Sequence, residues 1–302
     1  MNEFDDIITS NTGNSSMPDR SEKNQEFDAG KWAAQKQQSR KNAYNMIDST
    51  AQSISCDSRK FRSYLDIQSR FDRYSVNNAL LITAQMPTAV QLRDYDAWKD
   101  AGTPVKKKQK GIIILEPGEK YTRDDGTTGV SLNVKRVFDV SQTSSKDHPV
   151  ITRLDDRALL KALVHNSPVV IMPADKFDME NTNAFYDPAK HQILVRKGMD
   201  APEIFKAVTK ELAHAAFTLE AEEYSRRKEN FKAQCVSYIL CNRYGIDTQE
   251  MEIRVPVSLS GIPSKQILEQ LSAIRNTAND ISARMSKSLE QHKSPKNRDY
   301  ER

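Results

Sequence analysis

Lys210, Glu211 and His214 are the residues whose types and spacing come nearest to a reaction centre in this chain. They lie in Val208-Thr209-Lys210-Glu211-Leu212-Ala213-His214-Ala215-Ala216, a largely apolar stretch that reads as a buried helix. Lys210 and His214, one helical turn apart, share a face, with Glu211 beside them. The layout is that of a His-Glu-x-x-His helix, which holds a catalytic zinc ion, with its first His replaced by Lys. Such a site needs a third ligand, an open position for water and a carboxylate to take that water's proton. His214 is a candidate ligand and Glu211 a candidate base. Lys210 is an ammonium group at neutral pH, with no lone pair to offer, and it repels Zn²⁺ unless burial depresses its pKa. Third-ligand candidates follow in Glu220, Glu222, Glu223, Glu229, Gln234 and Cys235. A single such tetrad also arises by chance. Spacing therefore leaves three readings open: a metallopeptidase, an inactive one, or an ordinary helix with a structural histidine.

A second chemistry is suggested by Lys106-Lys107-Lys108-Gln109-Lys110, which places four ammonium groups within five residues. Arg70 and Arg73 add cations one helix earlier, and Trp98 and Tyr95 offer ring faces. Charge along a backbone together with aromatic platforms is what single-stranded nucleic acid needs. The plainer reading is a solvated turn before a strand, with Trp98 in the core. Asn77 and Asn78 can bond either backbone or DNA.

The positioning elements follow from periodicity. Residues 1–30 are polar and nearly free of aliphatic side chains, which predicts a disordered tail. Met46, Ile47, Ile54, Phe61, Leu65, Ile67 and Phe71 recur at helical spacing, with a break near Cys56-Asp57-Ser58. Ser75 and Asp94 are placed to cap short helices at 76–85 and 95–101. Ile112 to Leu115 and Val130 to Val140 read as a hairpin, the first strand stopped by Glu116-Pro117-Gly118. Residues 141–148 are a linker candidate. Beyond them come a helix at 154–164, strands at 169–172 and 193–195, a turn at 181–188, and helices at 202–220 and 225–244, the last closed by Gly245. Ile267, Leu271, Ile274, Ala278, Ile281 and Met285 form a heptad seam on a helix over 264–291. The seam is short, which favours docking on its own domain over a coiled coil.

Composition sets limits. Apolar residues make up 37% of the chain, below the roughly 45–50% of globular domains, as expected for polar tails around an ordinary core. The net charge of +4 is too small to point to nucleic acid without a local cluster. Cys56, Cys235 and Cys241 are too few and scattered for a disulfide framework, which fits a reducing, cytoplasmic setting. The acidic Met1-Asn2-Glu3-Phe4-Asp5-Asp6 does not read as a secretory signal, and no apolar run approaches a membrane span.

Arg73-Tyr74-Ser75-Val76-Asn77-Asn78-Ala79-Leu80-Leu81-Ile82, Gln85-Met86-Pro87, Trp98, Gly102, Val105-Lys106-Lys107, Gly111 to Pro117 and Val137 to Thr143 occur in this order. Together they resemble the N-terminal domain of ArdC-type antirestriction proteins. The second half is similar to that family's zincin-type domain through Glu211 to Ala215, Ala233 to Tyr238 and Tyr244 to Thr248. The resemblance implies an α+β protein: a helical N-terminal domain with a β-hairpin, a zincin-like α+β domain and a long C-terminal helix. The expected boundaries are a tail at 1–30, a single-stranded-DNA-binding domain at 31–145, the zincin-like domain at 150–250, the helix at 262–292 and a tail at 293–302. It implies DNA contacts by Arg70, Arg73, Asn77, Asn78, Trp98, Lys106, Lys107, Lys108 and Lys110. It also implies that two of three metal ligands are lost, since Lys210 and Gln234 stand at ligand positions. His214 and Glu211 then remain as a vestigial ligand and base, and no cofactor is expected. In that case the Lys210 ammonium takes roughly the zinc position, bound to Glu211, His214 or Gln234, and Lys210 and Glu211 cancel in charge. The function implied is single-stranded DNA binding by a cytoplasmic, antirestriction-like protein of a mobile genetic element. Two alternatives stay open: a zinc metallopeptidase using Glu211, His214 and a non-standard ligand, and a scaffold binding a protein through the C-terminal helix.

Overall fold

Side-chain caps and apolar stripes set the helices of this chain. The computed structural model describes residues 29–122, 125–145, 154–175, 182–220 and 223–293. The expected tails fall outside these residues, apart from 29, 30 and 293. Two units are distinguished, Met1–Ser39 and Arg40–Arg302. In the first, the Lys36 ammonium lies 4.9 Å from the Trp32 ring centre. All that follows concerns the second.

Helix α1 (Ala29–Ser55) contributes Ala43, Ile47, Ala51 and Ile54 to the core. It ends at the expected break, where the Asp57 carboxylate accepts the Arg59 and Lys60 N–H groups and starts α2 (Ser58–Arg70). Ser75 caps α3 (Val76–Gln85) and Asp94 caps α4 (Tyr95–Asp100). Strands β1 (Leu92–Arg93), β2 (Ile112–Thr122) and β3 (Thr128–Asp139) form an antiparallel sheet in the order β1-β3-β2.

Glu116-Pro117-Gly118 does not stop β2. The pairing shifts register between Pro117 and Lys120 and then continues. Proline lacks the N–H that a ladder uses, and a side chain on Gly118 would lie 2.5 Å from Asn133 Nδ2. The pair therefore makes a bulge, and a side chain at Gly118 would require the Asn133 and Ser131 side chains to move aside. The outer edge of β2 is closed by side chains of α3. Asn78 Nδ2 donates to Leu115 O and Asn78 Oδ1 accepts from Leu115 N, both at 2.8 Å. Gln85 does the same to Ile113, at 2.9 Å in each direction. Two amides seven residues apart thus replace a neighbouring strand.

The expected linker begins inside this fold. Val140–Gln142 is a 3₁₀ turn capped by Asp139, and buried Thr143 pairs with Val105. Residues 146–148 lie outside the described residues.

The second sheet contains β4 (Val170–Ala174), β5 (Ala184–Asp187) and β6 (Gln192–Arg196), in the order β4-β6-β5. β4 runs parallel to β6, and β5 antiparallel. The turn expected at 181–188 is thus largely strand. Around it lie α5 (Asp156–Val164), α6 (Ala201–Glu220), α7 (Arg226–Arg243) and α8 (Ser264–Lys293). α2 packs on α7, where the Phe61 and Phe231 rings are 5.2 Å apart and Tyr238 donates to Asp66 at 2.7 Å.

The chain is therefore α+β, with two small sheets and a long C-terminal helix. The α8 seam is spent within it. Ile267, Leu271, Ile274, Ala278, Ile281 and Met285 are all buried, and α8 packs on α3, α5, α6 and α7. The apolar face of this helix is covered by the chain's own core. No helix among the described residues is long and apolar enough to cross a membrane.

Candidate functional site

Helix α6 carries the Lys-Glu-x-x-His tetrad into the interior. Asp200 caps it by accepting the Glu203 N–H at 2.8 Å. Phe205, Val208, Leu212 and Ala215 bury its core side. The Thr209 and Ser237 hydroxyls, 2.9 Å apart, tie it to α7. That packing fixes Lys210, Glu211 and His214 against Arg226, Asn230 and Gln234 of α7.

Glu211 is buried and fully engaged. Arg226 Nη1 donates to Oε2 at 2.8 Å and Nη2 to Oε1 at 2.6 Å. The Tyr186 backbone N–H of β5 donates to Oε2 at 2.8 Å. The guanidinium also stacks on Phe185, 4.7 Å from the ring centre. A two-pronged, charge-assisted pair is the strongest arrangement open to a carboxylate. Although burial opposes its charge, the Glu211 bonds hold the Arg226 pKa above its usual value.

His214 is buried beside this pair. Its Nδ1 lies 3.0 Å from the Tyr224 hydroxyl, and its Nε2 has no hydrogen-bond partner. Burial, then the Arg226 and Lys210 charges, push its pKa down to about 3, a drop the Asn230 amide opposes. The ring is neutral at physiological pH.

Lys210 is bonded to none of the partners expected of it, Glu211, His214 or Gln234. It makes no ion pair or hydrogen bond among the described residues, because Arg226 already holds Glu211. Burial depresses its pKa, with Glu211 opposing and Arg226 adding to the effect. Gln234 turns away to donate to Glu252 O at 2.6 Å. The expected neutral Lys210–Glu211 pair is thus corrected to two cations around one carboxylate. Lys206, Lys210, Glu211, Arg226, Asn230 and Gln234 line a cleft of about 620 Å³.

The expected DNA-contact residues divide. Lys106, Lys107, Lys108 and Lys110 are exposed, on a loop fixed at both ends. Lys106 N–H donates to Gln142 O at 2.9 Å, and Gln142 Nε2 donates to Lys110 O at 2.9 Å. None of the four lysines makes an ion pair among the described residues. Arg73 is exposed and, with Asn77, lines a second cleft of about 660 Å³ beside Arg93 and Lys135. Arg70 lies apart from that lining and donates to Pro87 O and Ala89 O. Two assignments are corrected. Asn78 is committed to the β2 edge. Trp98 is buried, donates to Phe138 O at 2.8 Å and is covered by Arg93. Tyr95, 53% exposed, presents the open ring in this region.

No family model matches the chain. The Mn(II)-bound crystal structure of the antirestriction ArdC protein from the R388 plasmid superposes with a TM-score of 0.53 at 15% identity, covering 81% of this chain and 98% of that one. The chain has the ArdC fold. The metal-free structure of the same protein aligns at a TM-score of 0.48, with 15% identity over 71% of this chain and 86% of that one. An uncharacterized Bacillus anthracis protein, pXO2-81, is 25% identical over 240 residues. That match covers 62% of this chain and 41% of the relative, so the chain spans less than half of the relative's length.

The ArdC fold raises the question of a metal ion, and the α6–α7 cleft does not fit one. A divalent ion needs several neutral or anionic donors. Here one candidate position is an ammonium, another an amide donating elsewhere, and the carboxylate is saturated by a guanidinium. His214 Nε2 is left as a buried atom with no hydrogen-bond partner, while Glu203 and Glu250 of the lining are exposed. Among the described residues no three His, Cys, Asp or Glu side chains converge on one point.

Arg226, Tyr186 and Tyr224 are not legible as site residues in the sequence. Arg226 stands in Ser225-Arg226-Arg227-Lys228, where nothing distinguishes it from its neighbours. The available signal is electrostatic: a carboxylate on an otherwise apolar helix face demands a buried cation.

Proposed function

We propose that this protein binds single-stranded DNA through the loop Lys106–Lys110 as an antirestriction-type protein of a mobile element, and that its α6–α7 cleft performs no metal-dependent hydrolysis. One observation carries the DNA reading: four exposed ammonium groups make no ion pair among the described residues, on a loop whose ends are clamped by Gln142. A fixed cationic surface gains from phosphate contact without ordering the loop first. Tyr95, Arg73 and Asn77 then offer a ring face and polar groups on the same part of the fold. The plasmid origin of the ArdC structure supports the mobile-element setting, and the saturated Glu211 supports the absence of hydrolysis.

The test is binding to labelled single strands over a salt series. The wild-type affinity is expected to fall steeply with salt. Changing Lys106, Lys107, Lys108 and Lys110 together to Ala should weaken binding and lower the salt slope by about 0.7 for each phosphate that is no longer neutralised. An unchanged affinity and slope in that variant would overturn the reading.

A further inference from the structure

Three cations (Lys206, Lys210, Arg226) and three carboxylates (Glu203, Glu211, Glu250) line the α6–α7 cleft and cancel in sum, but the charge is unevenly placed, with the two exposed glutamates on the outside. Arg226 neutralises Glu211, which leaves Lys210 without a carboxylate partner among the described residues. One turn earlier on α6, Lys206 lines the same cleft, also with no ion pair among the described residues. Both lysines are partly buried. Like charges at i and i+4 repel, and partial burial weakens the screening that water would provide. The acidic groups of the lining, Glu203 and Glu250, are exposed and paired with neither lysine. The cleft is therefore built as an electropositive recess with an acidic rim.

We propose that this recess is a phosphate-type oxyanion site, in which Lys206 and Lys210 together hold a free phosphate or a phosphodiester of nucleic acid. Ammonium groups serve phosphate as point charges. Arg226 and Glu211 cancel each other, since the guanidinium's donors stay on that carboxylate, so the positive charge of the recess is that of the two lysines. The volume of about 620 Å³ leaves space around a phosphate for a connected chain. The site does not depend on the loop Lys106–Lys110 binding DNA.

The test titrates inorganic phosphate into the full chain at constant ionic strength, read by thermal midpoint and phosphorus NMR line width. Saturable binding is expected, at least about tenfold weaker in Lys206→Met/Lys210→Met and retained in Lys210→Arg. Stabilisation by phosphate that is identical in the wild type and the double variant would be the general salting effect, and would overturn the site. A labelled single strand separates the two sources. If DNA supplies the group, phosphate competes with the strand and the double variant loses DNA affinity. If the ligand is free phosphate, DNA binding is unaffected while phosphate binding is lost. Either outcome supports the site. The variant lacking the four loop lysines should keep its phosphate binding, so failure of the DNA reading is told apart from failure of this one.

Discussion

Arg226 grips Glu211 with both terminal guanidinium nitrogens, at 2.6 and 2.8 Å, in the place where a His-Glu-x-x-His helix would hold a free base beside a metal. The pair joins the start of α7 to the middle of α6, and the Tyr186 N–H adds β5 to the same carboxylate. Three elements thus converge on one buried side chain.

Removing the cation should be costly. Arg226→Met leaves Glu211 buried without its partner and is expected to destabilise the fold by about 3 kcal/mol in urea unfolding. Adding Glu211→Gln should recover much of that loss. Equal stability of the wild type and Arg226→Met would show that the pair holds nothing together.

His214 predicts an acid response. Its pKa is about 3 in the fold against 6.5 for an ordinary histidine. Below 6.5 the unfolded chain takes up a proton that the folded chain refuses. The stability due to the neutral ring is thus complete above pH 6.5 and is lost as pH falls toward 3, by up to about 1.4 kcal/mol per pH unit. His214→Leu should flatten this part of the stability profile. An equally steep profile in the variant would assign the acid response to other groups.

The β2 edge separates structure from DNA contact. Asn78→Ala strips partners from the Leu115 N–H and C=O and should cost about 2 kcal/mol. The DNA affinity of the folded variant should stay at the wild-type value, and the same holds for Trp98→Phe. A stable Asn78→Ala protein with weakened DNA binding would reverse the assignment.

Gln142 tests whether the basic loop needs its anchor. Gln142→Ala removes no charge but frees the Lys110 carbonyl. It should weaken single-strand binding several-fold, through the entropy of ordering the loop, while leaving the salt slope intact. A changed slope with unchanged affinity would contradict the anchoring argument.

Local signals make much of this fold legible. Ser75 and Asp94 cap the helices that the sequence assigns to them, because capping depends on neighbouring N–H groups alone. The α8 seam is visible as a repeat, and its partner is the chain's own core. What sequence conceals is long-range. Ala184–Asp187 is a strand only because β6 pairs with it and Glu211 accepts from Tyr186. Pro117-Gly118 looks like a stop until Asn133 and Ser131 crowd against it across the hairpin. Lys210 is nearer Glu211 in sequence than Arg226 is, yet the carboxylate takes the partner that offers two parallel donors.

Metal content is the most direct test of an arginine-filled cleft. The native protein, purified without chelator and then dialysed against zinc or manganese, should retain neither ion in stoichiometric amount. Its thermal midpoint should be the same with and without chelator. One equivalent of tightly held metal per chain, whose removal lowers the midpoint, would contradict the account.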